Sequence, residues 1–118
     1  MTKILFAESD FDTIFQLEKI FEKARMHFEF AGSATEAAEI LEEKKFSLVI
    51  VGTLDAVNEK FSAEKLLGKI VNAGTAILIL FEKLHGATEK VGWQNCDYLR
   101  KPFSEKDLLV KIRGLVGD

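Results

Sequence analysis

FSLVIVG, residues 46–52, is apolar at nearly every position and ends on a glycine. A half-exposed strand alternates apolar and polar residues. An unbroken run bounded by turn signals instead predicts a strand buried on both faces, as in the middle of a parallel sheet. AILILF, residues 76–81, has the same character, and KILFA, residues 3–7, is a shorter version of it. Phe28–Ala31 and Asp97–Leu99 read as two further short strands.

Helical patterns fill the gaps. Ser9 or Asp10 can cap a helix running to about Arg25, because either side chain can accept from the free N–H groups of a first turn. Its apolar residues Phe11, Ile14, Phe15, Leu17, Phe21 and Ala24 recur at mostly helical spacing and are expected to face the core. Ser33 with Glu36 fits a capping box, followed by Ala37, Ala38, Ile40 and Leu41 and a solvated end, Glu42-Glu43-Lys44-Lys45. Ser62 starts a helix carrying Leu66, Leu67, Ile70 and Val71, which Asn72-Ala73-Gly74 ends. A weaker helix is expected at about 83–92, where Gly86 and Gly92 lower the propensity. Lys101-Pro102 forces a turn, and Ser104 with Asp107 caps a last helix whose Leu108, Leu109, Ile112 and Leu115 face inward.

Five strand–helix alternations without a linker, repeat or low-complexity segment predict one α/β domain over residues 1–118, a parallel sheet with helices on both faces. The composition agrees: 118 residues, 47% hydrophobic and 30% charged. The net charge of −3 disfavours nucleic-acid or anionic-membrane binding through bulk electrostatics but is compatible with a local basic patch. The single cysteine, Cys96, excludes an internal disulfide and fits a reducing compartment. No apolar stretch approaches the roughly 20 residues of a membrane helix, and the N-terminus does not read as a signal peptide. A cytoplasmic location is the expectation.

Function in a parallel α/β sheet gathers at the carboxyl ends of the strands. The residues to weigh are therefore Glu8 to Asp10, Gly52 to Asp55, Phe81 to Lys83 and Arg100 to Phe103. A phosphate-binding cofactor would need a glycine-rich loop after a strand, whereas the first strand runs into carboxylates, in AESDFD. A nucleophilic enzyme would need a nucleophile, a base and an orienting group together. Ser9 stands near the edge without such partners, His27 and His85 fall elsewhere, and Cys96 reads as a buried thiol. No enzyme and no cofactor are expected. A Mg²⁺ site would want several converging oxygens, and Glu8, Ser9 and Gly52 form a poor set.

At this point the whole chain resembles the receiver domains of two-component response regulators. KILFAESD (3–10) is similar to that family's first strand with its acidic pair, FSLVIVG (46–52) to the third strand, and DYLRKPFSEKDLLVKI (97–112) to the fifth strand, Lys-Pro turn and last helix. The resemblance implies a flavodoxin-like three-layer sandwich, with a five-stranded parallel sheet in order 2-1-3-4-5. It also implies a degenerate site. The phosphoacceptor position holds Gly52, the metal-binding pair is matched by Glu8 and Ser9, and the Ser/Thr position is matched by Phe81 with Glu82 after it. Lys101 is retained, and Tyr98 matches the family's switch aromatic. The loop after Gly52 lacks the usual pattern and its proline.

Without a carboxylate at residue 52, phosphoryl transfer has no nucleophile. Without two aspartates the metal that neutralises phosphoryl charge is poorly held. Lys101 then needs another explanation: a buried ammonium is costly unpaired, so either it pairs with Glu8 in place of the metal and phosphoryl charges, or it points to solvent. The expected function is phosphorylation-independent protein–protein interaction, with a protein partner or a second copy. The family's partner face would here include Tyr98, Lys83, Leu84, His85, Glu89, Lys106, Asp107 and Lys111. Tyr98 is expected to be held outward by Phe81. Competing expectations are a displaced phosphoacceptor, Asp55 or Asp10, and a small-ligand site in the space beside Gly52.

Overall fold

The computed structural model describes residues 2–52, 63–82 and 95–117. The elements in chain order are β1 (Lys3–Ala7), α1 (Phe11–Lys23), β2 (His27–Ala31), α2 (Ala34–Glu43), β3 (Leu48–Val51), α3 (Ala63–Asn72), β4 (Ala76–Phe81), β5 (Cys96–Arg100) and α4 (Glu105–Val116). All strand pairs are parallel and the sheet order is β2-β1-β3-β4-β5. This is the expected flavodoxin-like order. The helix expected at about 83–92, the loop after Gly52 with Asp55, and the capping residue Ser62 lie outside the described residues.

The apolar runs do what their composition requires. β3 is buried at all four positions, and β4 at every position except Phe81, because their alternating side chains feed two cores. One face carries Ile4, Phe6, Leu48, Ile50, Leu78 and Leu80 under α1 and α4. The opposite face carries Leu5, Val49, Val51, Ile77 and Ile79 under α2 and α3.

The caps follow their residues. Asp10 accepts from the N–H and the hydroxyl of Thr13 at 3.1 and 2.7 Å. Ser33 Oγ accepts from the Glu36 N–H at 3.1 Å, and Glu36 reaches back to the Gly32 N–H at 2.6 Å, one residue earlier than in a standard capping box. Ser104 accepts from the Asp107 N–H at 3.0 Å.

Several boundaries and faces differ from the sequence reading. β2 begins at His27, which is exposed, rather than at Phe28. β3 begins at Leu48 rather than Phe46. Phe46 is buried one step below the ladder, where Lys3 exchanges bonds with Ser47. β5 extends to Cys96 and Arg100 at its two ends, and Cys96 is half-buried rather than fully enclosed. Phe11 and Phe15, expected in the core, are 85% and 60% exposed. The buried stripe of α1 is Thr13, Leu17, Ile20 and Phe21. At about 100° per residue, Phe11 and Phe15 lie roughly 120° and 160° around the helix from Leu17, so they point away from the sheet.

Candidate functional site

β1 and β3 are neighbours, with Ala7 opposite Val51, so the next residue on each, Glu8 and Gly52, share the carboxyl edge. The Gly52 N–H donates to the Ala7 carbonyl at 2.9 Å and the Glu8 N–H to the Ala31 carbonyl at 3.1 Å, which fixes both backbones. Glu8 is completely buried. Its Oε1 accepts from the N–H groups of Ser9 and Asp10, each at 3.1 Å, at the entry to α1. Its Oε2 accepts from Lys101 Nζ at 3.0 Å, and that lysine side chain is only 8% exposed. The pair joins residues 93 apart in sequence, tying β1 to the turn after β5.

Gly52 has a steric reason. A Cβ placed there would overlap Glu8 Oε2 and lie 2.6 Å from Glu8 Cδ. The Glu8 carboxylate therefore fills the space a side chain at residue 52 would occupy. The glycine is the vacancy that lets a longer acidic side chain from the next strand fold across the edge.

The remaining residues close the site. Phe81 meets Tyr98 edge-on, with ring centroids 6.3 Å apart and planes at 78°, and both rings are partly buried. Tyr98 packs against the core on the α2/α3 face. Glu82 is exposed at the end of β4. The Lys101–Pro102 peptide is cis, and Gln16 Nε2 of α1 donates to the Phe103 carbonyl at 2.9 Å, anchoring the turn.

On β5 and α4, Lys111 pairs with Asp97 at 3.0 Å, a contact the sequence reading missed, while Lys106 and Asp107 are exposed. Lys83, Leu84, His85 and Glu89 lie outside the described residues.

A Mg²⁺ ion of the kind the fold family carries does not fit these donors. Both oxygens of Glu8 are already used, Ser9 is a neutral residue, and one oxygen of Asp10 holds both donors of Thr13. Those Thr13 hydrogen bonds, side chain first, hold the Asp10 carboxyl below its ordinary range; Lys101 adds to the effect and burial opposes it. The same bonds engage one carboxylate oxygen of Asp10, Oδ2, at the entry to α1. At Cys96, burial and then the negative charge of Asp97 push the thiol's pKa up, with a hydrogen bond to Tyr98 opposing, so the thiolate is scarce at neutral pH.

The signal for the central contact was present in the sequence. A glutamate at the end of one strand and a glycine at the end of its neighbour become adjacent once the strand order is known. Their mutual fit depends on that order and on Glu8 bending back to the α1 entry, neither of which residue spacing gives.

No protein-family model matches the sequence, and no curated protein matches it. Solved structures match closely in shape. The receiver domain of a sensor histidine kinase from Pseudomonas aeruginosa, with a magnesium ion in its active-site cleft, superposes with a TM-score of 0.82 at 18% identity, covering 99% of this chain and 98% of that one. A chemotaxis protein CheY4 from Vibrio cholerae gives 0.81 at 18%, covering 98% of each chain. The receiver domain of an HD domain-containing protein from Pseudomonas fluorescens gives 0.80 at 21%, covering 98% of this chain and 87% of that one. The chain thus has the fold of the response-regulator receiver domains.

Proposed function

We propose that this chain is a receiver-like signalling domain that works by protein–protein interaction without aspartyl phosphorylation. The observation that carries this reading is the Glu8 carboxylate seated in the side-chain space of Gly52 and paired with Lys101. The lysine that would meet an incoming phosphoryl group already holds an internal anion. No nucleophile stands at residue 52, and Phe81 offers no hydroxyl.

The face proposed for partners is built by β5 and α4, with Tyr98 and Lys106 on it and Lys83, Leu84 and His85 joining from the sequence reading. Lys111 contributes through its pair with Asp97, which fixes its ammonium. Tyr98, backed by Phe81, is the aromatic anchor of that face. The partner is a protein or a second copy of the chain.

The deciding experiment is intact mass and unfolding temperature with acetyl phosphate, and with beryllofluoride, each plus Mg²⁺. The expected result is no adduct and no shift. An aspartyl adduct at any position overturns the reading.

A further inference from the structure

α1 turns outward a stripe that its own fold leaves uncovered. Phe11 and Phe15 stand one turn apart on its outer face, 85% and 60% exposed, and Phe15 lies near the crest, opposite the buried residues Thr13, Leu17, Ile20 and Phe21. Lys19 Nζ sits over the Phe15 ring at 4.5 Å, which holds that ammonium beside the stripe. Asp12 is exposed in the first turn, and its carboxylate has no ion pair among the described residues.

One by one these are ordinary surface residues: a first-turn aspartate suits the helix dipole, and a lone exposed ring needs no reason. Their mutual placement is less ordinary. At about 100° per residue, Asp12 and Lys19 lie roughly 60° and 40° from Phe15 in the same sense, while Phe11 and Glu18 lie on its other side. Along the axis, Asp12 is roughly 4.5 Å before Phe15 and Lys19 roughly 6 Å after it. The two charges are therefore about 10 Å apart on their own helix, too far to pair, yet nearly equidistant from Phe15. A two-fold axis beside Phe15, perpendicular to the helix, exchanges these two positions. It keeps each charge on its side of the stripe and sets Asp12 of one copy within about 1.5 Å, along the axis, of Lys19 of the other. A parallel pairing instead brings Asp12 beside Phe11 of the other copy and leaves it unpaired.

We propose that α1 is a self-association surface: two copies of the chain pack their α1 helices antiparallel, Phe15 on Phe15, with each Asp12 paired to Lys19 of the other copy. Phe11 then lies over the methylene groups of Glu18 of the other copy, and the opposed helix dipoles add to the attraction. The two rings of each copy present roughly 300 Å² at their observed exposures, so the pair covers about 600 Å² of ring before the flanking side chains are counted. That is the low end of specific interfaces and sets a weak, exchanging dimer with a Kd of about 10–100 µM. The surface is separate from the β5/α4 face and does not depend on how the Glu8–Lys101 edge functions.

The test is sedimentation velocity of the whole chain from about 5 to 500 µM, a range that brackets such a Kd. A monomer–dimer equilibrium is expected. Phe15→Gln should weaken it at least about tenfold, because each dimer loses two buried rings. Asp12→Lys and Lys19→Glu should each weaken it about tenfold, since each sets like charges opposite one another twice. Mixed together, these two variants should form a heterodimer about as tightly as the wild type, because every lysine then meets a carboxylate. Val110→Gln, which removes an exposed apolar side chain from α4, should leave association unaltered. Unfolding temperatures confirm that each variant is folded. A chain monomeric throughout this range overturns the proposal. So does a dimer that survives Phe15→Gln, one that Val110→Gln dissolves instead, or a pair of charge variants that fail to complement each other.

Discussion

Glu8 and Gly52 constrain each other. A side chain at residue 52 must displace the Glu8 carboxylate, and Glu8 cannot leave without breaking its ion pair with Lys101 and its hydrogen bonds from the N–H groups of Ser9 and Asp10. Gly52→Asp, the substitution that would seem to restore a phosphoacceptor, instead forces two carboxylates into one place. Overpacking and like-charge repulsion together should cost about 2–3 kcal/mol, read as a lower urea midpoint. In Gly52→Asp/Glu8→Gly, the carboxylate arrives from β3 in place of β1 and Lys101 regains a partner. The double variant should recover at least about 1 kcal/mol of the loss, a non-additivity expected only where two residues share one space. If the two changes add, the steric coupling is not the reason for the glycine.

At the scale of the element, α1 shows what was legible in the sequence and what was not. Its approximate extent followed from local chemistry, and its cap was narrowed to Ser9 or Asp10, of which Asp10 satisfies the first-turn N–H. The facing of Phe11 and Phe15 did not, because several apolar residues on one helix admit more than one inward stripe, and the sheet takes the stripe centred on Leu17. Two predictions separate these features. Phe11→Gln and Phe15→Gln should each change stability by less than about 0.5 kcal/mol, the usual range at exposed positions; a core role would cost several times more. Asp10→Ala should cost about 1 kcal/mol at neutral pH. The native carboxyl of Asp10 is held below its ordinary range, so this contribution is present above the unfolded value and is lost as pH falls through the lower native one. The stability gap between wild type and Asp10→Ala should therefore narrow in acid. A gap constant down to the acid transition would mean that the cap does not depend on the charge of Asp10.

For the whole molecule, strand order was legible through the resemblance and the apolar runs, because buried parallel strands admit few residue types. The carboxyl edge was legible only as a set of positions. Its actual contact spans β1 and the turn after β5, and thus depends on the complete sheet. That span gives the Glu8–Lys101 pair a role in the cohesion of the fold, since it links β1 to the turn after β5, 93 residues apart in sequence. Removing one partner leaves the other group buried and uncompensated, a loss of about 3–5 kcal/mol where burial is complete. Glu8→Ala should lie in this range, because Glu8 is fully buried and its loss also frees two N–H groups. Lys101→Ala should cost less, since an 8% exposed side chain at the molecular edge leaves Glu8 its two backbone donors. Glu8→Ala/Lys101→Ala should be more stable than the sum of the single losses implies, by about 1.5 kcal/mol or more, with the denaturant slope unchanged throughout. A null coupling energy would mean that the pair is incidental to the fold. A changed slope in the single variants would mean that the edge opens separately, and the two cores would then hold the sheet without it.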